Sequence, residues 1–377
     1  MKIAEIIKVL EAIAPPCLQE SYDNAGLLTG CKDTECTGVL CSLDAIEEVI
    51  DEAISCNANL VVAHHPIIFG GLKKINGNNY VERTIIKAIK NDIAIYAIHT
   101  NLDNILHGVN GKMAQLLQLQ NCKVLQARAA TLKKLYSFVP TAKLETVRTA
   151  VFEAGGGRIG LYDQCSFNVE GVGTFRAGAG SNPFVGEQGK RHEEPETKFE
   201  IIFPAYLERQ IVDALLRSHP YEEVAYDIVA LSNNWDQAGS GLVGTLAAPV
   251  TETEFLENIA QAFRLDMVRH TALMGRNISK VAVCGGAGSF LIKNALAAGA
   301  DVFVTADMKY HEFFDADGRM LICDIGHYES EQFTVELLNE VLVEKFPTFA
   351  VLKSKLITNP VHYFSVKHKS HTDHGQR

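Results

Sequence analysis

The chain of 377 residues is long enough for two domains or more, and its 47% hydrophobic and 21% charged residues are ordinary for a globular protein. A net charge of -10 and a pI near 5.7 argue against a duplex-binding surface, and no apolar run approaches the length of a membrane span. Nine cysteines, odd in number and without a C-x-x-C pair, fit reduced thiols in a cytoplasmic protein better than a disulfide framework or a zinc knuckle.

In chain order, residues 1–14 place Ile3, Ile6, Ile7, Leu10 and Ile13 on one helical stripe that Pro15-Pro16 ends, an amphipathic helix and not a signal peptide. A polar turn, ESYDNAGLLTG, then opens onto a short apolar run. Residues 37–43 predict a strand finishing at Asp44, 45–57 a helix, and 59–63 a strand that stops in His64-His65-Pro66. A helix over 80–90 precedes a strand over 93–98, which stops at His99, Thr100, Asn101, Leu102 and Asp103; a helix near 111–119 closes the unit. Such alternation predicts an α/β fold, a mostly parallel sheet with helices on both faces. Ligands bind such sheets beyond the carboxyl ends of the strands, where Asp44, His64, His65, His99 and Asp103 all fall.

The period then changes. A strand at 134–140, a helix at 143–154, a strand at 164–174, a Gly-rich loop at 176–196, a strand at 198–203, a helix at 206–218 and a strand at 222–231 give the ferredoxin-like order βαββαβ. This unit reads as an inserted domain, 129–234, separating a first half of the core, 1–128, from a second half, 235–366. At Gly239–Gly244 a formal G-x-G-x-x-G appears, but a polar run precedes it and GTLAAPV follows. These glycines are expected to serve a tight turn or hairpin, and the dinucleotide reading is rejected. A helix at 253–263, capped by Thr251 or Thr253, and a strand at 280–284 come next. The strand runs into Gly285-Gly286-Ala287-Gly288-Ser289 before a helix at 290–298. That turn is either an anion cradle or, lacking the lysine of a P-loop, a tight strand-to-helix connection. A strand at 301–305 leads to Asp307 and a helix carrying His311. The last strand, 320–323, meets a helix over 328–342, with His327 and Glu331 at their junction; the polar tail, 367–377, is expected to fray.

His327 and Glu331, four apart, share one helical face. Alone the pair reads as solvated decoration. Its weight comes from the other strand ends, which stop in the same kind of residue. Adjacent His64 and His65 suit two neighbouring metal ions better than one, Asp103 supplies a hard oxygen, and Glu331 can bridge through its two oxygens. Mixed imidazole and carboxylate ligation fits Zn, Fe, Mn, Co or Ni. The competing reading is a set of separate buried or surface histidines.

The motifs Y-D-N-x-G-L at 22–27, L-D at 43–44, H-H-P at 64–66, H-T-N-x-D at 99–103, H-x-x-x-E at 327–331 and T-N-P at 358–360 recur in order. Together they resemble the Nif-three-like family, which goes by the name GTP cyclohydrolase I type 2, over residues 1 to about 125 and about 236 to 366. The resemblance implies a site for two divalent metal ions at His64, His65, Asp103, His327 and Glu331, with His99 and His311 at further polar positions. It also implies a homohexamer and, for the longer bacterial members, a CutA/PII-like insertion. Tyr22 departs from the tryptophan of many members. The implied function is metal-dependent hydrolysis of a small molecule, a nucleotide such as GTP, with His99 either the group for proton transfer or a support for the ligand loop, and Asp44 or Asp307 orienting the histidines. The alternatives are a non-catalytic regulatory or scaffold protein whose insertion senses a ligand, and a dinuclear phosphoesterase.

Overall fold

A computed structural model describes residues 1–128 and 131–364; the tail expected to fray lies outside the described residues. The architecture is mixed α/β. Where the alternating pattern suggests one sheet carrying all the candidate ligands, there are three sheets, of five, six and four strands.

The first sheet runs Gly26–Thr29, Ala94–Ala97, Leu60–Ala63, Val39–Ser42, Val351–Lys353, parallel except for its first pair. Its central strands are buried throughout because helices cover both faces. Val39, Cys41, Leu60 and Val62 pack against Ile6 and Leu10 of helix Ile3–Ile13 and against Leu338 and Leu342 of helix Thr334–Lys345. Leu40, Val61 and Ala63 point the other way, towards Val49, Ile50 and Ile85 of helices Glu47–Ser55 and Tyr80–Lys90.

The second sheet runs Arg269–His270, Leu321–Asp324, Val302–Ala306, Asn277–Ala287, Gly239–Thr251, Gln120–Ala127. Only its middle, from Leu321–Asp324 to Asn277–Ala287, is parallel. Strand Gln120–Ala127 was not expected: it lies at the sheet edge, half exposed, and buries only Cys122, Val124 and Leu125 in part against the cores. It pairs antiparallel with Gly239–Thr251 in a register that sets Ala127 opposite Gly239. The glycines of the G-x-G-x-x-G run therefore serve no turn. They sit within a strand, where a Cβ at Gly239 would meet the Gln126 carbonyl at 2.1 Å.

The intervening region has the element order Leu132–Pro140, Leu144–Glu153, Phe167–Arg176, Arg191–Pro204, Glu208–Ser218, Tyr226–Ala230. Its four strands are antiparallel. The loop expected at 176–196 is shorter, because residues 191–195 extend the third strand as a ribbon paired only to Phe167–Arg176. Solvent on both sides of that ribbon accounts for its polar composition.

The helix expected over 328–342 is two helices, His327–Glu331 and Thr334–Lys345. The break falls where the chain passes between cores. Phe333 packs with Phe263 in the second-sheet core, and Leu338 and Leu342 join the first. Similarly, the segment carrying His311 is a 3-10 turn, Tyr310–Ala316. Helix Glu252–Phe263 is capped by Thr251, whose hydroxyl accepts from the Glu254 amide at 3.2 Å. Among the described residues no helix is long and apolar enough to cross a membrane.

Asn104 ties the two sheets together. Its Nδ2 donates to the Leu18 carbonyl at 2.9 Å and to Glu20 at 2.7 Å, its Oδ1 accepts from the Ser240 hydroxyl at 2.9 Å, and its carbonyl accepts from the Gly239 amide at 2.9 Å. Replacing it by alanine removes its three side-chain hydrogen bonds at this seam, so Asn104→Ala is expected to cost about 1–3 kcal/mol in a urea titration. An unchanged midpoint would show that the sheets dock without it.

Candidate metal centre

Strand Leu60–Ala63 ends in His64 and His65, whose amides continue the ladder to the Ser42 and Leu43 carbonyls at 3.2 and 2.9 Å. The rings diverge from there, with centroids 4.9 Å apart, and Pro66 stops the strand. Strand Ala94–Ala97 ends in His99, which precedes a single helical turn, Thr100–Asp103, with Asp103 at its close. From the second sheet, Leu321–Asp324 turns through Gly326, at φ +90°, into the five-residue helix that carries His327 and Glu331. The φ of Gly326 is one that side chains disfavour.

These ends converge. His65, His327 and Glu331 form one group of potential metal-binding atoms, and His64, Asp103 and Glu331 another, each with atoms within 4.8 Å of one another; His64, His65 and His99 form a third. Glu331 is common to the first two. Its Oε2 lies 2.8 Å from His65 Nε2, 3.1 Å from His327 Nε2 and 3.7 Å from His64 Nε2. His64 Nε2 is 3.6 Å from Asp103 Oδ1.

Each imidazole is aimed by its outer nitrogen. Nδ1 of His64 is 2.8 Å from the Ile98 carbonyl, that of His65 2.7 Å from Asp44, that of His327 2.7 Å from Asp307, and that of His99 2.8 Å from Asp23. With these acceptors holding Nδ1–H, the Nε2 atoms of all four rings face inward, and once stripped of any proton they are the atoms that metal-binding histidines present.

The charge balance favours a cation in the middle. Burial first, and the neighbouring Glu331 second, push the Asp103 carboxyl up to about 8. Burial opposes a charged Glu331 as well, but His327, His64 and His65 hold it well below the carboxylate range. Burial works against charged imidazoles too, yet His65 is pushed up to about 9 by Asp44 and Glu331, and His327 to about 11 by Asp307 and Glu331. Protons on the histidines and on Asp103 thus do the neutralising that a metal ion could do. His64 Nε2 and Asp103 Oδ1 are buried and without a hydrogen-bond partner, and such orphaned atoms fit a ligand set.

Two glycines that sequence reasoning assigned to an anion cradle or a tight connection have a packing role. A Cβ on Gly286, at φ +61°, would stand 2.5 Å from Glu331 Oε1, and one on Gly285 would stand 2.7 Å from Val109. Their amides are already engaged, by Ser330 Oγ and Asn110 Oδ1, each at 3.0 Å. Three further residues lay in recurring motifs with no role assigned from sequence. Asp23 accepts from His99 and from the Thr100 amide at 3.0 Å. Burial opposes its ionisation, but His99 and Thr100 bring its carboxyl down to about 2. Thr358 donates to the Asp44 carboxylate, and Asn359 donates to Glu329 at 3.0 Å. His311 is not drawn in: it is exposed and stacks with Tyr310 and Phe314. A cavity of about 860 Å³ opens over the cluster, bounded by Phe69, Tyr80, His99, Arg128, Ser240 and Phe290 among others.

The profile of the Duf34/NIF3 (NGG1p interacting factor 3) family matches residues 1–360. The chain belongs to this family. Among Duf34/NIF3 relatives, a protein of Halalkalibacterium halodurans named GTP cyclohydrolase 1 type 2 homolog is 41% identical over 369 residues, 96% of this chain and 99% of the relative. One of Bacillus subtilis with the same name is 40% identical over 326 residues, 86% of this chain and 87% of the relative. A crystal structure of a Bacillus cereus protein related to NIF3 superposes with a TM-score of 0.85 at 39% identity, covering 97% of this chain and 99% of that one.

Three outcomes follow for the centre. Gly286→Ala is expected to leave the protein folded by circular dichroism and to lose metal on dialysis, because the new Cβ displaces Glu331; full retention of metal contradicts this. Zinc binding at pH 7 is expected to expel protons from His65, His327 and Asp103, all raised above 7 in the metal-free protein. Affinity therefore rises with pH through about 9, where His65 loses its proton. By the same linkage, the stability that a charged His65 lends the metal-free fold is complete below about pH 6.5 and lost as pH rises through about 9. Calorimetry in buffers of differing ionisation enthalpy reads the release directly, and a zero net release would count against it.

Proposed function

We propose that this protein is a metal-dependent hydrolase with a dinuclear centre. His65, His327 and Glu331 hold one divalent ion; His64, Asp103 and Glu331 hold the other. The observation that carries this reading is the sharing of Glu331 between two groups of potential ligands. When bound, such a pair of ions supplies Lewis acidity and lowers the pKa of water. Zn, Fe, Mn, Co and Ni all suit the donor set.

The protein's own residues do the rest. Asp23, ionised at neutral pH, fixes Nδ1–H of His99 and leaves its Nε2 free to take or return a proton beside the cluster. Asp44 and Asp307 keep His65 and His327 in the tautomer that presents Nε2. The cavity, at about 860 Å³, falls within the range of small-molecule sites, and the relatives' shared name makes GTP the first substrate to test. On GTP the reaction is hydrolysis of the imidazole part of the purine, with formate leaving. A phosphoesterase would use the same ligands and release phosphate instead.

The same proposal extends to organisation. The element order supports reading 129–234 as a ferredoxin-like, CutA/PII-like domain inserted between core halves 1–128 and 235–366. A cytoplasmic homohexamer is the assembly we assign, on family resemblance.

The test loads metal-stripped protein with each ion in turn and follows formate and phosphate release from GTP. Formate release is expected, with Glu331→Gln losing both metal and turnover. His99→Asn should keep the metal and lose turnover by roughly 10²–10⁴-fold. Metal-loaded protein that releases neither product from any nucleotide would overturn the hydrolase reading. Phosphate without formate would replace it by the phosphoesterase.

A further inference from the structure

The four-stranded sheet of the inserted region buries one face. Leu135, Val139, Phe199 and Ile201 point to the helices, where Val147, Val151, Ile211 and Leu215 meet them. The residues alternating with these, among them Phe138, Glu196 and Lys198, belong to the opposite face. Over that face the segment 177–184 and residues 221–225 enclose a cavity of about 630 Å³. The segment is pinned there, since the Asn182 amide donates to Glu222 at 2.9 Å. This cavity has no part in the metal centre.

Its polar floor is Glu196, which is only 9% exposed. Oε1 accepts from the Tyr221 hydroxyl at 2.8 Å; among the described residues Oε2 accepts no hydrogen bond. Oε2 lies over Gly173, where a Cβ would come within 2.0 Å, so the carboxylate takes this position only because a glycine faces it. Tyr221 is itself placed by its amide, which donates to His219 Nδ1 at 3.1 Å. Phe175 and Phe184 stand around it, with ring centroids 6.0 and 6.3 Å from that of Tyr221. Two cations line the cavity, Lys198 and Arg176; Lys198 Nζ is engaged elsewhere, 3.0 Å from Glu200 and 4.4 Å above the Tyr136 ring, and Arg176 lies five positions along its strand from Gly171, the residue opposite Glu196.

This carboxylate, nine-tenths buried beside aromatic rings, has one oxygen held by Tyr221 and, among the described residues, no cationic partner, so a cation seated in the cavity would complete it. Aromatic faces beside an anion are what recognise organic ammonium groups. We propose that this cavity is a second ligand site, specific for a small organic cation: a protonated amine or amidine on an apolar body. The apolar body lies against Phe138 and Phe184, and the N–H donors meet Glu196 Oε2.

Calorimetry and ligand-observed NMR on the full chain, with phenethylamine, tryptamine and benzamidine as probes, test this. Saturable binding is expected for at least one amine, and none for phenylacetate or benzoate, which carry the opposite charge on like bodies. Glu196→Gln and Phe184→Ala should each weaken binding by about tenfold or more, equivalent to the loss of one good contact. Metal-stripped protein should bind as tightly as loaded protein, which separates this site from the metal centre. Three outcomes overturn the proposal: no saturable binding by any of the three amines, equal binding of the carboxylates, or full affinity in Glu196→Gln. Self-association that is abolished by Phe184→Ala, with no amine bound, assigns the face to a second copy of the chain instead.

Discussion

One buried carboxylate governs the centre of this protein. Glu331 stands with three imidazoles around its Oε2 and with the carboxyl of Asp103 close by, in a place where an isolated negative charge would be expelled. It is tolerated because the imidazoles cannot turn away. Their outer nitrogens are tied to a backbone carbonyl and to two aspartates, and one of those aspartates is tied in turn to Thr358. Removal of any outer brace releases a ring, and a released ring leaves the carboxylate exposed to the full cost of burial.

The centre lies between two sheets, so its integrity is a property of their docking. Asn110 shows how tight that docking is. Its Nδ2 donates to the Asp103 carbonyl at 3.0 Å in the first half, while its Oδ1 accepts from the Gly285 amide at 3.0 Å in the second. A candidate ligand, Asp103, and a close-approach glycine, Gly285, are therefore spaced by a single side chain. The broken helix at Phe333 has a similar logic, since one stretch of chain must serve two cores with different directions.

How much of this was legible in the sequence depended on the kind of signal. Strand ends that stop in His64-His65, His99 and Asp103 were readable because buried parallel strands are unbroken apolar runs, and a polar residue after one stands out. The alternation of strand and helix likewise revealed a mixed α/β chain. What it could not reveal was the number of sheets, because edge strands such as Gln120–Ala127 and Arg269–His270 are short or half exposed and bury too few apolar side chains to stand out. The glycines at 285–286 were visible, but their reason was not: it is set by Glu331, distant in sequence and adjacent in space. Asp23, Thr358 and Asn359 were marked only by recurring in order with the rest, since a carboxylate that braces a histidine looks like any surface aspartate until the two meet.

The pairing of Ala127 with Gly239 bears on how such a chain can change over time. Residues opposite one another in an antiparallel pair are about 5 Å apart, so everything between them departs from and returns to a single point on the sheet edge. A tight hairpin would close the same gap. The entropy of closing a loop grows only with the logarithm of its length, about 0.6 kcal/mol per doubling, so exchanging a hairpin for a whole domain at that point costs the core little. The segment between them is in this sense tethered at one place. Its exchange for a hairpin would leave the Ala127–Gly239 pairing, and the sheet that leads into His327 and Glu331, as they stand.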